Sequence, residues 1–178
     1  GVAPDVFGKA NSWQMVGLDE GALAIVGCQG TEGVMEAYRG VGSISHSLAR
    51  SAQKVRGIAV AAGAVEVATA NARRNGVGNV SFVCGATEEV LPKVYKETGC
   101  PDVLFLDPPR KGCDSKVLNA VVESEILQIV YISCDPATQA RDMKVLVEGG
   151  YELIAALPVD MFPQTAHVEN ICMLRRRQ

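Results

Sequence analysis

A length of 178 residues, 48% of them hydrophobic and 5% aromatic, suits one folded domain with a full apolar core and excludes a disordered chain. The net charge of −3 disfavours a protein that binds nucleic acid by itself, because such binding depends on cations that neutralise phosphates. Apolar runs stay below the roughly 18 residues that span a bilayer, so we expect no membrane segment. The six cysteines form no C-x-x-C pair, so we expect no zinc or iron–sulfur site.

Short apolar runs alternate with helical segments along the chain. A first helix is predicted over 12–27, with Asn11 as its N-cap. The strands that follow are predicted at Val34–Tyr38, Val55–Val60, Val80–Cys84, Val103–Leu106, Ile126–Ser133, 151–158 and 168–175, with helices between them over 43–52, 62–74, 87–97, 115–123 and 136–148. The pattern predicts an α/β domain with a mostly parallel seven-stranded sheet, helices on both faces and an antiparallel strand near one edge. Two strands in succession at the end are typical of the Rossmann-like, class I methyltransferase fold.

The first strand-to-helix turn contains the glycine pair Gly40 and Gly42, followed by Ser43. Glycines at such a turn let a ligand approach the backbone, and the next helix offers free N–H groups, so the turn indicates a cofactor site. The pair alone is a weak signal, because many such pairs are only tight turns. Position 45 is Ser where the dinucleotide motif G-x-G-x-x-G requires Gly, which disfavours NAD.

Three later segments carry chemical groups: Leu106–Gly112 (LDPPRKG), 131–142 (YISCDPATQARD) and 158–169 (PVDMFPQTAHVE). Asp107 and Cys134 each follow an apolar strand, and the carboxyl ends of parallel strands meet at the edge of the sheet where ligands bind. A thiol there, with Asp107 and Glu169, indicates covalent chemistry on a flat, electrophilic ring. Without their motifs, Cys134 would be interpreted as a buried strand-end residue and Glu169 as an exposed strand carboxylate.

In these segments the chain resembles the RNA uracil-5-methyltransferases, which form 5-methyluridine, and it is most similar to the bacterial 23S rRNA type. The resemblance runs from about Asp5 to Arg175 and implies S-adenosyl-L-methionine as cofactor and RNA as substrate. It makes Cys134 the nucleophile that adds to carbon 6 of uracil and Glu169 the base that removes the proton from carbon 5. It makes Asp107 a contact to cofactor or base, and His167 is a rival base.

The resemblance assigns cofactor contacts to Lys9, Tyr38, Gly40, Gly42, Ser43, Ala59, Ala86 and Asp107. Three of these depart from the family pattern. Lys9 brings a positive charge where the family has Gln, which is unfavourable beside a cationic sulfonium. Ala59 and Ala86 stand where polar side chains would bind the ribose and the adenine. Two missing hydrogen bonds of charged groups predict binding weakened by about 10²–10⁴.

The chain begins at Gly1, and we expect a fragment of a longer protein. The resemblance implies that 1–178 is a catalytic domain whose upstream RNA-binding domain is absent. We expect a cytoplasmic monomer without a metal. Two alternatives stay open: a catalytically silent scaffold or RNA-contacting module, which Lys9, Ala59 and Ala86 favour, and methylation of an exocyclic amine. The second is suggested by Asp107-Pro108-Pro109 and disfavoured by Arg110, since an aromatic residue usually follows those prolines.

Overall fold

The structure is a computed structural model that describes residues 26–38, 43–160 and 168–178. In these residues seven strands form one sheet: β1 (Gly33–Ala37), β2 (Lys54–Ala59), β3 (Val80–Cys84), β4 (Val103–Leu106), β5 (Gln128–Ser133), β6 (Tyr151–Asp160) and β7 (Val168–Arg176). The described helices are α1 (Ser43–Leu48), α2 (Ala62–Arg74), α3 (Thr87–Thr98), α4 (Ser115–Val122) and α5 (Pro136–Glu148). The predicted ranges of α2, β3, β4 and α5 are confirmed to the residue. The predicted helix over 12–27 lies outside the described residues except for its end, where Val26 is helical.

The strand order across the sheet is β3-β2-β1-β4-β5-β7-β6. Strands β1 to β5 pair in parallel, whereas β7 is antiparallel to both β5 and β6. The final hairpin therefore inserts β7 between β5 and the edge strand β6. This confirms the predicted fold class, with its mostly parallel sheet and its antiparallel strand near the edge.

Helices cover the central strands on both faces, which fits the wholly apolar sequence of β4. On one face Leu104 and Leu106 pack with α3, α4 and α5; on the other, Val103 and Phe105 pack with Leu48 of α1. All four residues of β4 are at most 2% exposed. This burial leaves the carboxyl edge of the sheet as the place where polar side chains gather.

Helix α1 is shorter than predicted, ending at Leu48 instead of near residue 52. The amide of Asn79, in the turn before β3, donates to the carbonyl oxygens of Ala49 (2.8 Å) and Ala52 (3.0 Å). These carbonyls are thereby satisfied by a distant side chain and need no further helical turn. A local pattern does not reveal a contact across 27 to 30 residues, which is why the prediction overran.

Candidate active site

The carboxyl edge brings several predicted site residues together. Tyr38 and Asp107 directly follow β1 and β4, whose last paired residues are Ala37 and Leu106. The Asp107 N–H donates to the carbonyl oxygen of Ala37 at 3.4 Å, which holds the two strand ends side by side. Both Tyr38 and Asp107 are half-buried. They therefore lie at the crevice where the strand order reverses, the usual ligand position in such sheets.

Cys134 and Glu169 end neighbouring antiparallel strands at the same edge. Ser133 pairs with Asn170, and Cys134 and Glu169 are the next residue along β5 and β7 respectively. Residues opposite each other on antiparallel strands have Cα atoms roughly 4.5–5.5 Å apart. Cys134 is partly exposed, and Glu169 is a carboxylate with only 5% exposure. The structure therefore places the thiol and the second carboxylate each one residue beyond the last pair of the β5–β7 ladder.

The segment after Cys134 is fixed by its own polar groups. Asp135 caps α5 by accepting from the backbone N–H groups of Ala137 and Thr138, both at 3.0 Å. The hydrogen bond from the Thr138 N–H holds the pKa of Asp135 below its usual value, and the positive charge of Arg110 adds to this. Because Asp135 binds these N–H groups, they are not available to the Cys134 sulfur.

The loop after β4 is tied to α5 by contacts that we call the loop clamp. Thr138 donates its hydroxyl to the carbonyl oxygen of Arg110 (2.9 Å), and Arg141 donates to that of Lys111 (2.9 Å). Asp142, fully buried, accepts from the backbone N–H of Cys113 at 2.7 Å. Asp107 therefore lies in a loop that is held at both ends, by β4 on one side and by the loop clamp on the other.

Behind the loop lies a set of buried phenol, thiol and carboxylate groups. The Tyr131 hydroxyl donates to Asp142 at 2.6 Å, while the Tyr38 hydroxyl accepts from the backbone N–H of Asp114 at 3.3 Å. Burial raises the pKa of the Cys113 thiol to about 12 and raises the pKa values of Tyr38 and Tyr131. The Cys113 thiol and the Tyr38 and Tyr131 phenols are therefore neutral at physiological pH and serve as structural hydrogen-bonding partners.

Sequence reasoning missed three contributors within the motif around Cys134, namely Thr138, Gln139 and Asp142. Arg141, in the same motif, donates its guanidinium to Asp142 (2.7 Å and 2.9 Å) and to the carbonyl oxygen of Lys111. The available signal was position: these residues occupy the first two turns of the helix that starts directly after the proposed nucleophile.

The predicted cofactor residues are described only in part. Lys9, Gly40, Gly42 and the rival base His167 lie outside the described residues, and Ser43 is described only as the first residue of α1. Ala59 ends β2 with 6% exposure, and Ala86 is the residue before α3, where no side chain caps the helix.

At β2 and β3 the edge thus offers small apolar side chains: Ala59, Ala86 and the exposed Val60. Neither alanine can hydrogen-bond the ribose or the base of a nucleoside through its side chain. Within the described residues no group of three or more His, Cys, Asp and Glu could hold a metal, and no helix has the length and apolar character to cross a bilayer.

Comparison with known proteins assigns the family. The profile of the tRNA (uracil-5-)-methyltransferases matches residues 5–177, so the chain belongs to this family. An uncharacterized RNA methyltransferase of Clostridium acetobutylicum is 44% identical over 170 residues, and one of Bacillus cereus is 45% identical over 170 residues. Each match covers 96% of this chain and 37% of the relative. The chain therefore spans little more than a third of the length of these curated relatives.

Solved structures agree. The tRNA (uracil-54, C5)-methyltransferase of Pyrococcus abyssi, in complex with S-adenosyl-L-homocysteine, is 31% identical with a TM-score of 0.83, and the match covers 97% of this chain and 41% of that one. The N-methyltransferase NodS of Bradyrhizobium japonicum has a TM-score of 0.79 at 12% identity, covering 99% of this chain and 94% of that one. The second likeness supports the fold alone.

Proposed function

We propose that this chain is the catalytic domain of an RNA (uracil-5-)-methyltransferase, which methylates carbon 5 of a uridine with S-adenosyl-L-methionine as methyl donor. The observation that supports the proposal most is the adjacency of Cys134 and Glu169 beyond the Ser133–Asn170 pair. Family membership and the Pyrococcus relative's ligand support the choice of cofactor. We propose that the enzyme acts in the cytoplasm, and that a uridine of 23S rRNA is the target.

In the proposed mechanism Cys134 and Glu169 act on adjacent carbons of one ring. The Cys134 thiolate adds to carbon 6 of the uracil, which places enolate character on carbon 5. When bound, S-adenosyl-L-methionine would supply an electrophilic methyl group, which would bond to carbon 5 as the methyl–sulfur bond breaks and its electrons stay on the departing thioether. Tyr38, Ala59, Ala86 and Asp107 would flank the cofactor at this edge. Glu169 then takes the proton from carbon 5, the electrons of that C–H bond form the ring double bond, and the thiolate leaves. The target base must leave its stack to reach this edge.

Trapping with RNA that contains 5-fluorouridine tests this mechanism. Fluorine at carbon 5 cannot leave as a proton does, so a covalent protein–RNA complex is expected to persist in a denaturing gel. Cys134→Ala should abolish the complex, whereas Cys100→Ala, which removes an exposed thiol before β4, should not. A complex that forms equally with Cys134→Ala would refute the proposal. Separate 23S rRNA and tRNA fragments distinguish the two RNA sources.

A second candidate is a catalytically silent member of the fold, and the apolar ends at Ala59 and Ala86 favour it. Titration calorimetry with S-adenosyl-L-methionine separates the two functions. Binding at micromolar to low millimolar ligand supports the enzyme. No binding at millimolar ligand, together with no trapped RNA, would support the silent module.

A further inference from the structure

The side chain of Gln139, in α5, is unusually buried and hydrogen-bonded for a glutamine. It is only 2% exposed, although glutamine is usually a surface residue. Its amide nitrogen donates to the carbonyl oxygens of Tyr131 and Asn170, both at 3.1 Å. Its amide oxygen accepts from the side-chain nitrogen of Asn170 at 2.7 Å. Both ends of the amide are thus bonded inside the protein.

These bonds join the two strands that carry the proposed catalytic pair. Tyr131 lies in β5 three residues before Cys134, and Asn170 directly follows Glu169 in β7. Gln139 itself belongs to the helix that starts just after Cys134. One side chain therefore links the strand before the thiol, the helix after it and the residue beside the carboxylate.

We propose that Gln139, with Asn170 as its partner, is a positioning residue that sets the separation between the Cys134 thiol and the Glu169 carboxylate. The inference rests on the proposed function, in which the two groups act on adjacent ring carbons and tolerate little displacement. Misplacement of a catalytic group by about 1 Å costs roughly 10²-fold in rate. The Ser133–Asn170 pair is the last one of the β5–β7 ladder, where strand pairing is weakest, so a side-chain bridge acts where it is needed.

The two chemical steps make different demands on this geometry. Addition forms the bond between sulfur and carbon 6 and needs Cys134 alone. Release needs Glu169 to accept the carbon 5 proton while the carbon–sulfur bond breaks and its electrons leave with sulfur. Loss of the bridge should therefore slow release more than addition, and the covalent adduct should accumulate on ordinary uridine RNA.

The test compares Gln139→Leu, Asn170→Leu and the double variant with the unaltered chain. Rapid quenching and denaturing gels give the rates of adduct formation and decay. We expect decay to slow by about tenfold or more and formation to change by less than about threefold. Tyr151→Phe is the matched control: it removes a buried hydroxyl that donates to the carbonyl oxygens of Val121 and Ile126. Tyr151 pairs with Arg176, at the opposite end of β7 from Glu169.

The double variant separates positioning from stability. Replacing both amides by apolar groups leaves neither of them buried without its partner, so unfolding in urea should be nearer to that of the unaltered chain than for either single variant. Adduct decay should nevertheless stay slow in the double variant. Decay that recovers together with stability would reduce Gln139 to a structural residue and overturn the proposal.

Amide hydrogen exchange gives a readout that needs no catalysis. Removing the bridge should accelerate exchange at residues 132–135 and 168–171 by about tenfold, whereas Tyr151→Phe should leave them unchanged. Unchanged exchange in Gln139→Leu would refute the positioning role even if the chain forms no adduct. If the unaltered chain forms no Cys134 adduct but Gln139→Leu still accelerates amide exchange at these residues, the proposed function is refuted. The bridge through Gln139 is then still supported.

Discussion

Gly112 is a position where the structure predicts a large effect of adding one methyl group. Its φ is +82°, and a Cβ atom there would lie 2.4 Å from Nη2 of Arg141 and 2.5 Å from Oδ2 of Asp142. Arg141 can move, since its side chain is 57% exposed, but Asp142 is fully buried and bonded to Tyr131 and Cys113. The left-handed backbone costs an L-residue about 1–2 kcal/mol, and loss of one hydrogen bond to a charged group costs about 1.5–3 kcal/mol. Gly112→Ala should therefore lower the free energy of unfolding by about 2.5–5 kcal/mol.

Urea unfolding measures this change, and Gly76→Ala is the matched control. Gly76 also has a positive φ, +66°, but a Cβ there would contact nothing within 4 Å. Its substitution should cost only the backbone part, about 1–2 kcal/mol. In an Asp142→Ala background the two glycine substitutions should cost the same, since the crowded carboxylate is gone. If Gly112→Ala and Gly76→Ala lowered the free energy of unfolding equally in the unaltered background, Asp142 would not be held rigidly. That result would refute the loop clamp.

Two further predictions concern the cofactor end and the cap of α5. Ala59→Glu and Ala86→Asp should each tighten S-adenosyl-L-methionine binding by about tenfold to hundredfold in calorimetry, because each restores a charged hydrogen-bonding group. Ala70→Glu, on the exposed side of α2, is the control for added charge. An equal gain in affinity with Ala70→Glu would refute the reasoning. Asp135 has a lowered pKa, so its contribution to stability is complete above its unfolded pKa of about 4 and is lost as the pH falls through the lower folded value. Urea unfolding between about pH 6 and pH 2 should therefore show a smaller acid-induced loss for Asp135→Asn than for the unaltered chain, and parallel curves would contradict the capping role.

The hydrophobic periodicity and the residues that start or end helices predicted most of the fold. They did so because local conformational preferences and tertiary packing favour the same elements along this chain. Asp135 followed by Pro136 marks the start of α5, and Asn75-Gly76 marks the end of α2; both boundaries are confirmed. The boundary that differs most from its prediction, the end of α1, depends on the amide of Asn79. No pattern local to α1 encodes that contact.

The candidate site was predictable to the extent that strand ends define it. The position of Cys134 follows from its place after a strand, and that of Glu169 from the final hairpin. The bridge through Gln139 and the carboxylate of Asp142 was not predictable, because each joins elements through a buried polar side chain. On a helical wheel such residues look like any polar position, and only the packed structure reveals which face they occupy.

The residues proposed to bind the cofactor and those proposed for catalysis lie apart along the described edge. Ala59 ends β2 and Ala86 follows β3, whereas Cys134 follows β5 and Glu169 lies in β7, with β1 and β4 between the two groups. Weak polar recognition at the first pair therefore need not disturb the geometry of the second. A change that affects ground state and transition state alike alters KM and leaves kcat unchanged. Ala59→Glu should accordingly lower the KM for S-adenosyl-L-methionine at constant kcat. A rise in kcat at saturating cofactor would mean instead that the vacancy at residue 59 misaligns the methyl group as well as weakening its binding.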